Sequence, residues 1–99
     1  MFDIEKVIAK RIALDCTYLT PHMNPAIYRH HKQMIETLEK APRTEPELIK
    51  EIERVKRHLD RVTSVLEAEP IHNKLDALEW LLPKVRLRDS EHHREASFV

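Results

Sequence analysis

No glycine occurs anywhere in this 99-residue chain, against an average usage of about 7%. Glycine supplies positive φ and lets a backbone approach a ligand closely. Phosphate-cradling loops, dinucleotide fingerprints and glycine-flanked nucleophile elbows all need it at fixed positions, so those sites are excluded. Tight two-residue hairpins lean on Gly or Asn with φ > 0, which disfavours a β-rich fold. Six prolines instead cut the chain into helical pieces. The expected fold is all-α, an antiparallel helical bundle of four helices with a long third helix. Residues 1–88 form one domain on this reading, and 89–99 a polar, mobile C-terminal tail.

Charge narrows the function classes. There are 17 Lys+Arg and 17 Asp+Glu, so the formal net charge is zero. A dedicated nucleic-acid binder usually carries a basic excess. No segment approaches the ~18–20 apolar residues of a membrane span. Asp3, Glu5, Lys6, Lys10 and Arg11 interrupt any leader-like apolar run. The lone Cys16 has no disulfide partner within the chain. A reducing, cytoplasmic setting is expected.

The first helix is expected over Ile4–Leu19, capped by Asp3, with Ile4, Ile8, Ile12 and Cys16 as a core stripe. Asn24 then caps a second helix, with Pro25 at its first position, running to Lys40. Thr44 and Glu47 carry capping-box spacing, which starts a third helix extending to Glu69, before Pro70. The fourth starts near Ile71 and should end or kink at Pro83, whose ring clashes with the Glu79 carbonyl.

Leu48, Ile52, Val55, Leu59, Val62 and Leu66 are spaced 4, 3, 4, 3, 4, a heptad seam like that of a coiled coil. A third helix of that extent would be roughly 37 Å long, longer than any neighbour. A second copy is the natural cover for the seam, so a C2 homodimer is expected.

The chemistry-bearing residues do not assemble into a catalytic motif. No two histidines stand at i,i+3 or i,i+4, so no metal site is expected. No cofactor is expected either, and no carboxylate pair is marked out for acid–base work. His31 reads as a partly buried structural residue, and Cys16 as a small core residue. Trp80, with Leu81 on the same apolar helix, and Tyr28 are candidate anchors for a partner protein. Lys50, Arg54, Arg57 and Arg61 form a basic stripe, and Lys84, Arg86 and Arg88 a basic arm. Together they could contact nucleic acid, although interleaved acids also describe an ordinary solvated face. The terminal Ser97-Phe98-Val99 has the form of a carboxylate-capture ligand. The reading is therefore a non-enzymatic interaction protein (adaptor, inhibitor or regulatory subunit). A nucleic-acid-associated regulator is the alternative.

Overall fold

The computed structural model describes the backbone of residues 2–97 and the side chains of residues 2–91. Phe98 and Val99, and with them the terminal carboxylate motif, lie outside the described residues. The described chain is all-helical: α1 (Ile4–Cys16), α2 (Pro25–Lys40), α3 (Glu45–Arg61) and α4 (Val65–Ser97).

The first two helices start where their caps dictate. The Asp3 carboxylate accepts the N–H groups of Glu5 at 3.0 Å and Lys6 at 3.3 Å. The Asn24 side chain accepts that of Ala26 at 2.8 Å, with Pro25 as the first helical residue. Helix α1 ends three residues earlier than expected, at Cys16. Residues 17–19 wind off through N–H bonds to the carbonyls three residues back. The Thr17 hydroxyl donates to the Leu14 carbonyl at 2.6 Å.

Cys16 is exposed rather than part of the core. A strict i+4 stripe drifts by about 40° per step on a helix of 3.6 residues per turn. Three steps from Ile4 therefore carry Cys16 about 120° off the core direction, and Asp15 falls on it instead. Ile4, Ile8 and Asp15 are accordingly the buried residues of α1.

The long helix is the fourth, not the third. Helix α3 has 17 residues and α4 has 33. The chain leaves α3 at Val62, which is extended at φ −83° and ψ 133°. It re-enters helix at Val65, with the Ser64 carbonyl already accepting the Ala68 N–H at 3.0 Å. Ser64 with Glu67 three residues on has capping-box spacing, a start signal that competes with the heptad pattern.

Pro70 and Pro83 both lie inside α4. Each removes one backbone bond and crowds a carbonyl, a cost of about 3 kcal/mol in a helix interior. Burial of the flanking turns outweighs it. Ile71, Ala77, Leu78, Leu81 and Val85 all bury their side chains, four of them at 1% exposure or less. The stretch expected as a tail, from Asp89 on, continues this helix to Ser97. The Phe2 N–H donates to the Glu91 carboxylate at 3.1 Å, tying the two ends of the fold together.

Helix α4 is the central pillar. Helices α2 and α3 both pack on it, α1 packs on α2 and touches α4, and α2 and α3 do not pack on each other. The molecule measures 52 × 33 × 15 Å with a radius of gyration of 15.6 Å, against about 13 Å for a compact chain of this length.

This arrangement changes the fate of the heptad seam. Leu48, Ile52 and Val55 are buried in the core formed with α4, and Leu59 and Val62 are partly buried against it. The length argument for a homodimer through that face falls away, because the 33-residue α4 is long enough to cover α3. Only Leu66, at 82% exposure, is left outside.

Leu78→Ala should therefore lose about 2–5 kcal/mol of unfolding free energy in urea titration, through lost burial and a cavity. Leu66→Ala should stay within about 0.5 kcal/mol of the parent. Equal effects of the two would contradict this core.

Candidate functional site

Because α2 and α3 both lean on α4 without meeting, a furrow of about 850 Å³ runs between them. Ligand sites typically occupy roughly 300–1,000 Å³. Val55, Ile71 and Leu78 form an apolar floor. Helix α2 lines one wall with Gln33, Glu36, Thr37 and Lys40, and α3 the other with Glu51, Arg54 and His58. Val62, Glu67 and Pro70 lie along the furrow at the α3–α4 turn.

Glu51 is the most tightly held charge here. Arg54 grips it with two guanidinium bonds, and the Lys74 ammonium lies 3.3 Å from the same carboxylate. The Arg54 hydrogen bond, joined by Lys74, holds the Glu51 pKa below the ordinary carboxylate value, against the opposing effect of burial. The same bond raises that of Arg54. No ion pair among the described residues involves Glu36, Lys40, His58 or Glu67.

A second polar cluster joins α1, α2 and α4. Asp15, only 1% exposed, accepts from Arg11 Nε at 3.2 Å and from His31 Nδ1 at 2.7 Å. The His31 ring stacks on Tyr18 with centroids 4.0 Å apart, and His30 meets it edge-on at 5.1 Å. His30 Nδ1 lies 2.7 Å from Asn73 Oδ1, and Asn73 Nδ2 donates to Gln33 Oε1 at 2.6 Å. Every buried side-chain nitrogen and oxygen among the described residues has a partner. An Asp–His pair can serve a nucleophile, but these atoms are turned on one another and on Arg11, so the cluster acts as a clamp. His31 is thus the half-buried structural residue expected from its place on the helix.

The residues singled out from the sequence are scattered by the fold. Trp80 is half-buried, with Lys84 Nζ 4.8 Å and the Arg11 guanidinium 5.3 Å from its ring centroid. Leu81 is fully buried and cannot contact a partner. The apolar excess of the fourth helix reflects a helix covered by its own chain. Tyr28 is exposed but does not line the furrow.

The basic stripe lies on α3 and the basic arm on α4. Arg54 is engaged by Glu51, Arg86 by Glu45 at 2.9 Å, and Arg88 by Asp89 at 2.9 Å. Lys50, Arg57 and Arg61 remain exposed. The furrow itself had no sequence signal on α2. Gln33, Glu36, Thr37 and Lys40 read as an ordinary polar face until the separation of α2 from α3 is known.

Among the described residues no three His, Cys, Asp or Glu side chains converge as metal ligands. No helix of the described residues is long and apolar enough to cross a membrane. No protein-family model matches the chain, and no curated protein or solved structure is significantly similar to it.

Two measurements probe these clusters. Asp15→Ala leaves His31 and Arg11 without their buried acceptor, and should cost about 3 kcal/mol or more in denaturant unfolding. Glu51 has a folded pKa below its unfolded one, so its contribution is present at neutral pH and fades as pH falls through the carboxylate range. Glu51→Gln should therefore flatten the acid limb of the stability–pH curve, leaving wild type and variant closer at pH 3 than at pH 7. A constant difference across that range would contradict the assignment.

Proposed function

We propose that this chain is a non-enzymatic helical interaction protein of the cytoplasm, an adaptor, inhibitor or regulatory subunit built on an antiparallel four-helix arrangement. Its binding site is the furrow between α2 and α3. One observation carries the reading: two helices flank a third without packing on each other, which leaves an apolar floor between polar walls. From Glu67 to Leu78 the floor helix rises about 17 Å, or three turns. That is the length an amphipathic helix needs to seat anchors at i, i+4 and i+7.

The partner is accordingly an amphipathic helix of another protein, with a narrow apolar stripe flanked by charges of both signs. Glu36 and Glu67 would meet its bases, and Lys40 its acids. Tyr28 and Trp80 fall outside this surface. The nucleic-acid alternative is the weaker reading, since Arg54, Arg86 and Arg88 are already paired with carboxylates.

A photo-crosslinking side chain placed at Thr37, on the furrow wall, should give a discrete protein adduct in cells. The same group at the exposed Lys10, on α1, should not. Val62→Asp, at the furrow's end, should remove the Thr37 adduct while helix content by circular dichroism stays unchanged. Adducts from Lys10 alone, or a Thr37 adduct indifferent to Val62→Asp, would rule the furrow out as the partner site.

A further inference from the structure

We propose that the α3–α4 turn is a hinge, and that the occupant of the opened form is a second copy of this chain, exchanged through α4. The seam Leu48, Ile52, Val55, Leu59, Val62 and Leu66 keeps its heptad spacing straight through the turn. The turn itself is only residues 62–64, Val-Thr-Ser. It contains no glycine or proline, and no described residue has a positive φ. Nothing in its backbone forbids helix, and α3 and α4 can join into one rod of 53 residues, from 45 to 97, about 80 Å long.

What holds the turn closed is local. The capping-box spacing of Ser64 and Glu67 favours a helix start at Val65. Against it, the closed form leaves Val65 85% and Leu66 82% exposed, the two most exposed large apolar side chains described. In the straight rod Leu66 rejoins Leu59 and Val62 on one stripe. Where two such rods cross, those stripes face each other.

The rest of the fold suits exchange. Helices α2 and α3 each use α4 as their scaffold and do not pack on each other. One copy's α1–α3 can therefore close on the other copy's α4 and remake the contacts between helices, leaving out only those of the turn itself. The pairs Glu45–Arg86 and Glu51–Lys74 would then form between chains instead of within one. Short hinges between elements with continuous helical pattern are the setting in which domain swapping costs least. The proposal is independent of the furrow reading, since it needs no foreign partner. It also returns to the seam a role in self-association that a closed surface cannot give it.

The test uses the full chain refolded at high concentration, followed by ultracentrifugation. Thr63→Ala/Ser64→Ala, which removes the Ser64–Glu67 start signal and adds helix propensity, should raise the dimer association constant at least tenfold. Thr63→Pro fits after the extended Val62 but breaks a continuous helix, and should lower that constant at least tenfold. A Gly-Ser-Gly-Ser insertion after Thr63 should act in the same direction, and keeps the test open should the proline variant misfold.

Spin labels at Lys50→Cys and Glu79→Cys, in a Cys16→Ser background diluted with unlabelled chain, separate exchange from surface contact. The intrachain distance in the dimer fraction should lengthen from adjacent helices to about 43 Å. A dimer that keeps the short intrachain distance overturns the proposal. So does a chain that stays monomeric even with both alanines in place.

Discussion

Everything in this fold depends on the burial of α4. Leu78, Leu81 and Val85 are closed off from solvent to 1% or less, on the one helix that α1, α2 and α3 all touch. Each such side chain is worth about 1.5–3 kcal/mol when removed from water. That scale explains why two internal prolines fail to end the helix. A local penalty of about 3 kcal/mol at each is offset by several buried residues on the turns around it. Propensity sets where a helix would stop in isolation, and packing on two flanks decides where it stops here.

The polar cluster works differently. Asp15, Arg11 and His31 together add little net stability over three well-packed apolar residues in their place, because desolvation consumes most of the attraction. Their consequence is geometric. Asp15 requires His31 at 2.7 Å, and Asn73 binds both His30 and Gln33, so α1 and α4 are held in one register on α2. Apolar contacts alone slide more easily than a set of donors and acceptors that all need partners.

The parts of this structure that were legible in the sequence are those governed by neighbours in the chain. Asp3, Asn24 and Pro25 set helix starts through atoms two or three residues away, and α2 runs over the expected Pro25–Lys40. Where the competing influence was tertiary, the pattern misled. The heptad from Leu48 to Leu66 reads as one helix, yet the chain turns at Val62. The local signal for that turn, Ser64 with Glu67, is weaker to the eye than six apolar residues in register. Leu81 looked like surface because its helix carries more apolar residues than a peripheral helix needs. It is core because that helix is central. The furrow was illegible for a stricter reason. It consists of an absence of contact between α2 and α3, and no residue on either helix encodes that separately.

The same arrangement explains why the furrow stays open in the single chain. Helix α2 buries only Met34 and Leu38, and these are already committed to the shared core. The face it turns to the furrow is Gln33, Glu36, Thr37 and Lys40, which gain nothing by closing on the charged wall of α3. Bringing the two walls together would desolvate Glu36 and Lys40 beside a Glu51 carboxylate already satisfied by Arg54 and Lys74. The floor residues Val55, Ile71 and Leu78 are already closed from solvent, so the apolar lining still open to cover lies at Ala41, Pro42, Val62 and Pro70. A third helix with a narrow apolar stripe would cover that lining while leaving the charges at the rim in water. A flat molecule 15 Å thick thus follows from how little apolar surface α2 carries, and the open furrow follows from the flatness.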